Sequence, residues 1–576
     1  MFMKKEIALF LALVTLVSAA FTGCKQNAAV SETGQTSKSE SESKTIVKSK
    51  EPITFTAITS YSVGGTKWGQ DPISKKITEE TGVTLELKYT VGDFNEKLGL
   101  LISSGEYPDM FLSVDNYQLQ DLVEANVALP LDEYLATGGE NIKAAFGDKI
   151  GAMKNENDGK TYGFNKDFGD IPPKKDWYVQ VQYPVLEEAG FPKINTLDEL
   201  ADLLEAYKNK HKKYNNLDLI GILSPAGGVN ADAIRHGINN VAMRTAGFQD
   251  DGEFYIDPKT YQATYAIRTP QTKAYLEWLN RMYLRGLFAL DSFALDHPGV
   301  MSEVAKGNVL CVTEPGWALD ETEKALRTVN KTPELCYAKI PIYINKEAAA
   351  NSQVTNYDSL GTWKSIITSK CADPKRAFEF FDTMWSEKMQ VLSWWGVEGD
   401  LYTIKDDKRV LKPETITSQQ NDANFRQNTG VLLYDYWSMG SLVKDSTGQL
   451  IRPYLTTETI AQGYTEQDKK VLTAYKPTAI TWADLWPDPK LSPWGFAWKL
   501  SLPKGDGADA QTRIKAEINS KYMLKMVQAK NPGEFDGIWN EFVTKCLEAG
   551  IEIREKEVTE AVRKRMKLWY NITVSD

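Results

Sequence analysis

Apolar positions alternate with threonines along ITFTAITSY, residues 53–61, which predicts a buried first strand ending at Tyr61. In DPISKKITEETG, residues 71–82, the apolar positions change to helical spacing, with Pro72 just inside the start and Gly82 at the end. That pattern predicts a capped helix. VTLELKYT (83–90) is a second strand, a helix follows from about Phe94 to Ser103, and the chain breaks at Gly105 and Pro108 before the strand DMFLS. Strand, helix, strand, helix, strand predicts a parallel sheet covered by helices. Ligands of such sheets bind beyond the carboxyl ends of the strands, here the loops at 61–68 and 114–117.

Further along, DGKTYGFN (158–165) has a hairpin pattern and GDIPPKKDWY (169–178) breaks the periodicity, with Asp176 and Trp177 near a predicted chain crossing. TLDELADLLEAYKNKH opens on Thr196 with Glu199 three places on, the spacing of a capping box. Strands follow at LIGILS (219–224), NVLCVTEPG (308–316) and GTWKSIITS (361–369). Helices follow at TPQTKAYLEWLNRMYLRG (269–286) and DPKRAFEFFDTMWSEK (373–388), and the apolar stripes of these two make Trp278 and Trp385 core residues. Two α/β blocks joined more than once fit this order.

The amino terminus has a different pattern. Lys4 and Lys5 precede an apolar run, Ile7 to Ala20, that is too short to span a bilayer, and together they predict a secretory leader. Thr22 and Gly23 then lead into Cys24, and the segment resembles a bacterial lipobox with Phe21 at its first position. The resemblance implies a signal peptide over 1–23 and lipidation of Cys24, with several acyl chains giving a stable membrane anchor. Residues 24–51 are rich in Ser, Lys, Glu and Thr and should form a disordered tether reaching roughly 30 Å on average.

Composition narrows the function. A chain of 576 residues with net charge −10 repels phosphate backbones, so nucleic acid is not an expected partner. Fifteen Trp and 26 Tyr supply much flat, amphipathic surface. The five cysteines lack metal or redox spacing, so Cys311, Cys336, Cys371 and Cys546 are expected to be buried thiols or at most one disulfide. The three histidines do not fall at zinc spacing. No metal, cofactor or nucleophile motif is expected. A glycosidase needs only two carboxylates at the right separation, so a secreted carbohydrate-active hydrolase is the rival reading.

In order, TKWGQDPISKKITEETGVTLEL, GDFNEKLGLLISSGEYPDMFL, LVEANVALPLDEYL, DGKTYGF, TLDELADLLEAYK, GNVLCVTEPGW, DPKRAFEFFDTMW and GVEGDLYT resemble the solute-binding lipoproteins of carbohydrate ABC importers, extracellular solute-binding family 1. The resemblance implies a type II periplasmic-binding-protein-like α/β fold with two lobes, a hinge and a ligand cleft between them. It also implies a monomeric, non-enzymatic receptor that hands its ligand to ABC permease subunits at the extracellular face of a Gram-positive cell membrane. Approximate lobes are 52–165 with 357–440, and 166–356 with 441–576. In relatives with a calcium loop after the helix matching LEAYK, the corresponding place here is KNKHKKYNNLDLIG, whose lysines stand where oxygen ligands would be needed.

A sugar presents C–H faces and hydroxyl edges, so its site needs aromatic planes with polar groups beside them. Loop segments supply that mixture at Trp68, at Asp115, Asn116 and Tyr117, at Glu314 and Trp317, at Trp363, and at Trp394, Trp395 and Glu398. Of these, Trp317 is similar to the aromatic after a strand that contacts sugar in maltose-type binding proteins. The same fold binding a peptide or another polar solute is the third reading.

Overall fold

The computed structural model describes residues 50–574 apart from 61–65, 91–92, 156, 170–176, 228–231, 250, 329, 353–354, 358–362, 423, 488–489, 493 and 498–499. The leader, Cys24, the tether and Asp176 lie outside the described residues. None of the described helices is long and apolar enough to cross a membrane.

Nine strands build two separate sheets: β1 (Ile53–Thr59), β2 (Val83–Tyr89), β3 (Met110–Val114), β4 (Gly163–Asn165), β5 (Gln180–Gln182), β6 (Ile220–Leu223), β7 (Val309–Val312), β8 (Tyr337–Ala338) and β9 (Lys364–Ile367). The first sheet runs β2-β1-β3-β9-β4 and the second β8-β5-β7-β6. Strands β1, β2 and β3 pair in parallel, with Ile53 opposite Val83 and Ala57 opposite Met110. β9 returns antiparallel between β3 and β4. The second sheet is mixed as well: β7 is parallel to β6 and antiparallel to β5. Each sheet is therefore mixed with one strand reversed, β9 in the first and β5 in the second, where periodicity alone predicted a parallel sheet. The expected hairpin at 158–165 is reduced to a single antiparallel bridge between Lys154 and Thr161, because β4 takes its ladder from β9, two hundred residues later.

Local chemistry places the helices. α1 (Pro72–Thr81) is capped by Asp71, whose carboxylate accepts from the Ser74 amide, and stops at Gly82 with φ 70°, where left-handed backbone favours glycine. α2 (Phe94–Ser104) follows, and then α3 (Asn116–Glu124), which opens on a reciprocal capping box between Asp115 and Gln118. In the second half α4 (Leu197–Lys210) has the predicted box between Thr196 and Glu199. α5 (Pro270–Leu284) buries Trp278 completely, and α6 (His297–Val304) and α7 (Asp320–Thr328) flank β7 in the chain. The chain then returns to the first sheet with β9, α8 (Pro374–Met384) and α9 (Glu387–Trp395). It ends on the second with α10 (Glu466–Tyr475) and α11 (Ile551–Tyr570).

Each sheet has its own core. Phe55, Met110, Phe146, Phe381 and Trp385 belong to one, and Val181, Ile222, Trp278, Val309 and Met523 to the other. Val558, Val562 and Met566 of α11 sit in the second core while Trp569, at the end of the same helix, packs on the first. Ile451 lies in a small cluster with Trp394, Trp395 and Tyr402, and Tyr454 packs into the first core. Cys311, Cys336, Cys371 and Cys546 are buried free thiols, and burial pushes Cys311 up to about 12.

Two buried charge networks brace the halves. In the second, the Glu323 carboxylate takes the Lys339 ammonium at 2.8 Å, the Tyr337 amide at 2.9 Å and the Arg327 guanidinium at 3.9 Å. Arg327 continues to Asp468 at 3.1 Å, and Asp468 also accepts from Tyr183 and Thr465. In the first, Lys166 bonds Asp435 at 2.6 Å, while Asp167 accepts from Ser438 at 3.0 Å and from Arg452. Burial works against the Asp167 charge, but the Arg452 guanidinium and Lys166 ammonium outweigh it and hold the carboxyl below its ordinary value. Asp109, bonded by the Thr56 amide and hydroxyl at 2.8 and 2.7 Å, is lowered in the same way against its burial. A depressed carboxylate stabilises above its unfolded pKa, about 4, and that stability is lost as pH falls through the folded value. Melting curves from pH 7 to 2 should therefore be flat down to about pH 5 and fall steeply below 4. Asp167→Asn should flatten part of that acid limb.

Candidate ligand-binding site

The strand directions put the carboxyl ends of β6, β7 and β8 and the start of β5 along one edge of the second sheet. After β7 the chain runs Thr313, Glu314, Pro315, Gly316 and turns into a short 3-10 helix that carries Trp317. Gly316 sits under the Trp177 indole. Its amide donates to the Trp177 carbonyl at 2.9 Å, and a Cβ there would stand 1.6 Å from Trp177 Nε1, so only glycine fits. The Lys339 ammonium lies 5.6 Å from the Trp177 ring centroid.

Trp317 itself is 51% exposed, a large unfilled aromatic surface at a strand end. His236 meets its ring edge-on at 5.5 Å and His297 lies tilted at 6.0 Å. His236 is held by a π-helical turn, Arg235–Asn239, a local irregularity of the kind found at functional sites. Gly237 in that turn lies against the Pro225 carbonyl just past β6. Arg235 Nη2 approaches His236 Nε2 at 3.1 Å, and since a guanidinium only donates, the hydrogen bond between them has the imidazole nitrogen as acceptor. Glu314 is wholly buried, with one oxygen 2.6 Å from His297 Nδ1. Its burial raises its pKa, and the hydrogen bond from Glu314 raises that of His297. Glu314 Oε2, Trp177 Nε1 and Gln180 Oε1 at this edge are buried and have no hydrogen-bond partner among the described residues, a set that a polar solute or water would satisfy.

The first sheet presents the matching edge after β1 and β3. Ser113, at the end of β3, has φ 58°, a strained value for a non-glycine residue, and its carbonyl accepts from Ser60 Oγ. Asp115 is consumed by its cap, and burial raises its carboxyl despite the amides it accepts. Asn116 is the first residue of α3, and Tyr117 after it is 40% exposed. Although water reaches the Tyr117 ring, its hydroxyl lies in surroundings that push it up to about 12. Burial is the main cause, and the charges of Arg554, Glu253, Asp115 and Arg235 act on it as well. A direct bridge joins the halves nearby: Lys504, next to Leu502 of the second core, bonds Asp121 of α3 at 2.6 Å.

The remaining candidates are placed as follows. Trp363 precedes β9, is half-buried, and has the Lys166 ammonium 5.3 Å from its ring, on the same edge as the end of β4. Trp68 is half-buried against the first core, its Nε1 donating to Thr78 at 2.9 Å and its ring 4.9 Å from Tyr434. Trp394 and Trp395 are each 5% exposed and form the last turn of α9, with Trp395 Nε1 donating to the Leu450 carbonyl. Glu398 is exposed in the turn that follows. The structure thus gathers Glu314 and Trp317 on one edge, leaves Tyr117 exposed at the start of α3, and sets Trp68, Trp394 and Trp395 into packing. Sequence reasoning did not single out Arg235, His236 or His297 as ligand residues. They reach Trp317 through the fold, from 82 to 20 positions away in the chain, and carry no local motif. Among the described residues no group of three or more His, Cys, Asp or Glu could hold a metal ion.

A model of the bacterial extracellular solute-binding protein family matches residues 73–407, more than half of the chain. The fructooligosaccharide ABC transporter substrate-binding protein FusA of Streptococcus pneumoniae serotype 4 is 22% identical over 350 residues. That match covers 57% of this chain and 60% of FusA, less than two thirds of its length. Among solved structures, S. pneumoniae FusA in complex with kestose aligns over 88% of this chain and 99% of its own, at 16% identity and TM-score 0.63. A human-milk-oligosaccharide (HMO) binding ABC-transporter-associated protein from Bifidobacterium longum infantis covers 90% and 99%, at 13% identity and TM-score 0.61. The alginate-binding protein AlgQ2 without calcium covers 89% and 98%, at 18% identity and TM-score 0.57. At these identities the likeness establishes the fold, that of the type II periplasmic-binding-protein-like solute-binding proteins.

Proposed function

The chain belongs to the bacterial extracellular solute-binding protein family, and on that premise we propose that it captures an oligosaccharide between two lobes and delivers it to an ABC importer. The observation that carries this reading is the half-exposed Trp317 at the end of β7, flanked by His236 and His297. An indole face held open at a strand end suits the C–H face of a sugar ring, and polar groups beside it suit the hydroxyl edge. In this reading the lobes are approximately 52–165 with 357–440 and 166–356 with 441–576, and the two sheets with their separate cores support it. Asn116, Trp363 and Arg235 complete the lining. Closure adds contacts from the second lobe, so ligand binding shifts the open–closed balance.

Acylated Cys24 holds this receptor on the extracellular face of a Gram-positive membrane, and residues 24–51 connect that anchor to the body. The protein acts as a monomer and leaves its ligand chemically unchanged. Titration calorimetry of the full chain against kestose, Man5GlcNAc and alginate oligosaccharides, with product analysis, tests the reading. Binding without new reducing ends is expected. Release of reducing ends would make the protein a hydrolase, and tight binding of a peptide instead would keep the fold and change the ligand.

A further inference from the structure

His297 begins α6 directly after its cap Asp296, and its ring is oriented by a single strong contact, Nδ1 to Glu314 Oε1 at 2.6 Å. Glu314 is fully buried, whereas the His297 side chain is 37% exposed. With Nδ1 committed inward, Nε2 is the nitrogen left for an outside partner, on a ring 6.0 Å from exposed Trp317. Proton counting then fixes what Nε2 can do. While the pair holds its extra proton, the state is either imidazolium with carboxylate, or neutral imidazole accepting from a carboxylic acid. In both, Nε2 carries hydrogen. Once that proton is lost, Nδ1–H faces the carboxylate and Nε2 is a bare acceptor.

Resting on the saccharide reading above, we propose that His297 is a ligand-contacting residue. Its Nε2–H donates to an acceptor-only oxygen (ring, glycosidic or N-acetyl carbonyl) of the sugar stacked on Trp317, and Glu314 is the positioning residue that aims it. The groups that set the pair's titration are Glu314 from the turn after β7 and Asp296 on the same helix; His236 and Arg235 from the π-helical turn stand across Trp317. The pair holds its proton above the ordinary histidine value, first through the Glu314 hydrogen bond. The donor form therefore persists to higher pH than in an ordinary histidine and is lost as pH rises through the folded value.

The test is calorimetry of the full chain from pH 6 to 9 with kestose, Man5GlcNAc and alginate oligosaccharides as probes, melting curves confirming that each variant folds. For the probe that binds, affinity should fall about tenfold toward pH 9, the size of one charge-assisted hydrogen bond. His297→Ala should bind about tenfold more weakly at pH 6, with a flat profile. His297→Gln, whose amide donates at every pH, should stay near the wild-type pH 6 affinity, also with a flat profile. Glu314→Gln should move the alkaline fall to lower pH. Unchanged affinity and profile in His297→Ala would overturn the ligand role of His297 and leave the saccharide reading standing. Failure of all three probes to bind the wild-type chain would overturn that reading and this inference with it.

Discussion

Trp317→Ala is expected to weaken saccharide binding by roughly thirtyfold, about 2 kcal/mol, while shifting the melting temperature of the ligand-free protein by no more than about 1 °C. The two halves of that expectation come from one number. With 51% of its surface exposed, Trp317 contributes little apolar burial to folding, so removing it leaves the free protein intact. The same exposed surface is what a sugar ring would bury. Trp395→Ala should do the reverse, because its ring is 5% exposed in a small core with Trp394, Tyr402 and Ile451. Truncating a buried tryptophan costs about 3–5 kcal/mol of stability, with affinity unchanged while the protein stays folded. Calorimetric binding and melting curves on the two variants separate a residue that touches ligand from one that packs. Equal affinity in Trp317→Ala would remove that ring from the site.

A stability effect as large as that of Trp395→Ala should come from Glu323→Ala. This carboxylate is 1% exposed and accepts from Lys339 and the Tyr337 amide, with Arg327 beside it. Burial opposes the Lys339 charge, yet Glu323 holds its pKa above the ordinary lysine value, so the lysine remains an ammonium ion. Deleting Glu323 leaves that ion in a dry site, a loss of about 3–5 kcal/mol. For a cooperative unit of about 250 residues this corresponds to a fall of roughly 8 °C in melting temperature. The double variant Glu323→Met with Lys339→Met removes both charges and should recover most of the loss, since a buried ion pair is often no more stabilising than apolar groups of the same shape. If the double variant melted as low as the single one, the pair itself would be a net source of stability.

Much of the fold was legible in the chain. The segment from Ile53 to Val114 shows why. Each element carries its own signal: an alternating strand, Asp71 with Pro72 to start a helix, Gly82 to end it. Elements bounded by such local chemistry fall within a residue or two of their expected limits. The reversed strand β9 was not legible, because it finds β4 across two hundred residues and nothing local marks its direction. The site divides the same way. Trp317 follows a strand and a Pro-Gly turn, a local signature of an exposed tip. Trp394 and Trp395 also precede a glycine, but that glycine, Gly396, ends a helix, so the two rings face inward. The His297–Glu314 pair was invisible in sequence because its chemistry exists only once α6 and the turn after β7 are packed together.

The insertion of β9 between β3 and β4 constrains how the protein is made. A chain threaded amino end first through a secretion channel delivers β1 to β3 early, and their outer edge stays open until residue 367 emerges. Unpaired strand edges are templates for aggregation, and such distant pairings form slowly. Holding the polypeptide unfolded until translocation is complete, rather than letting it fold as it is synthesised, is the itinerary this topology favours.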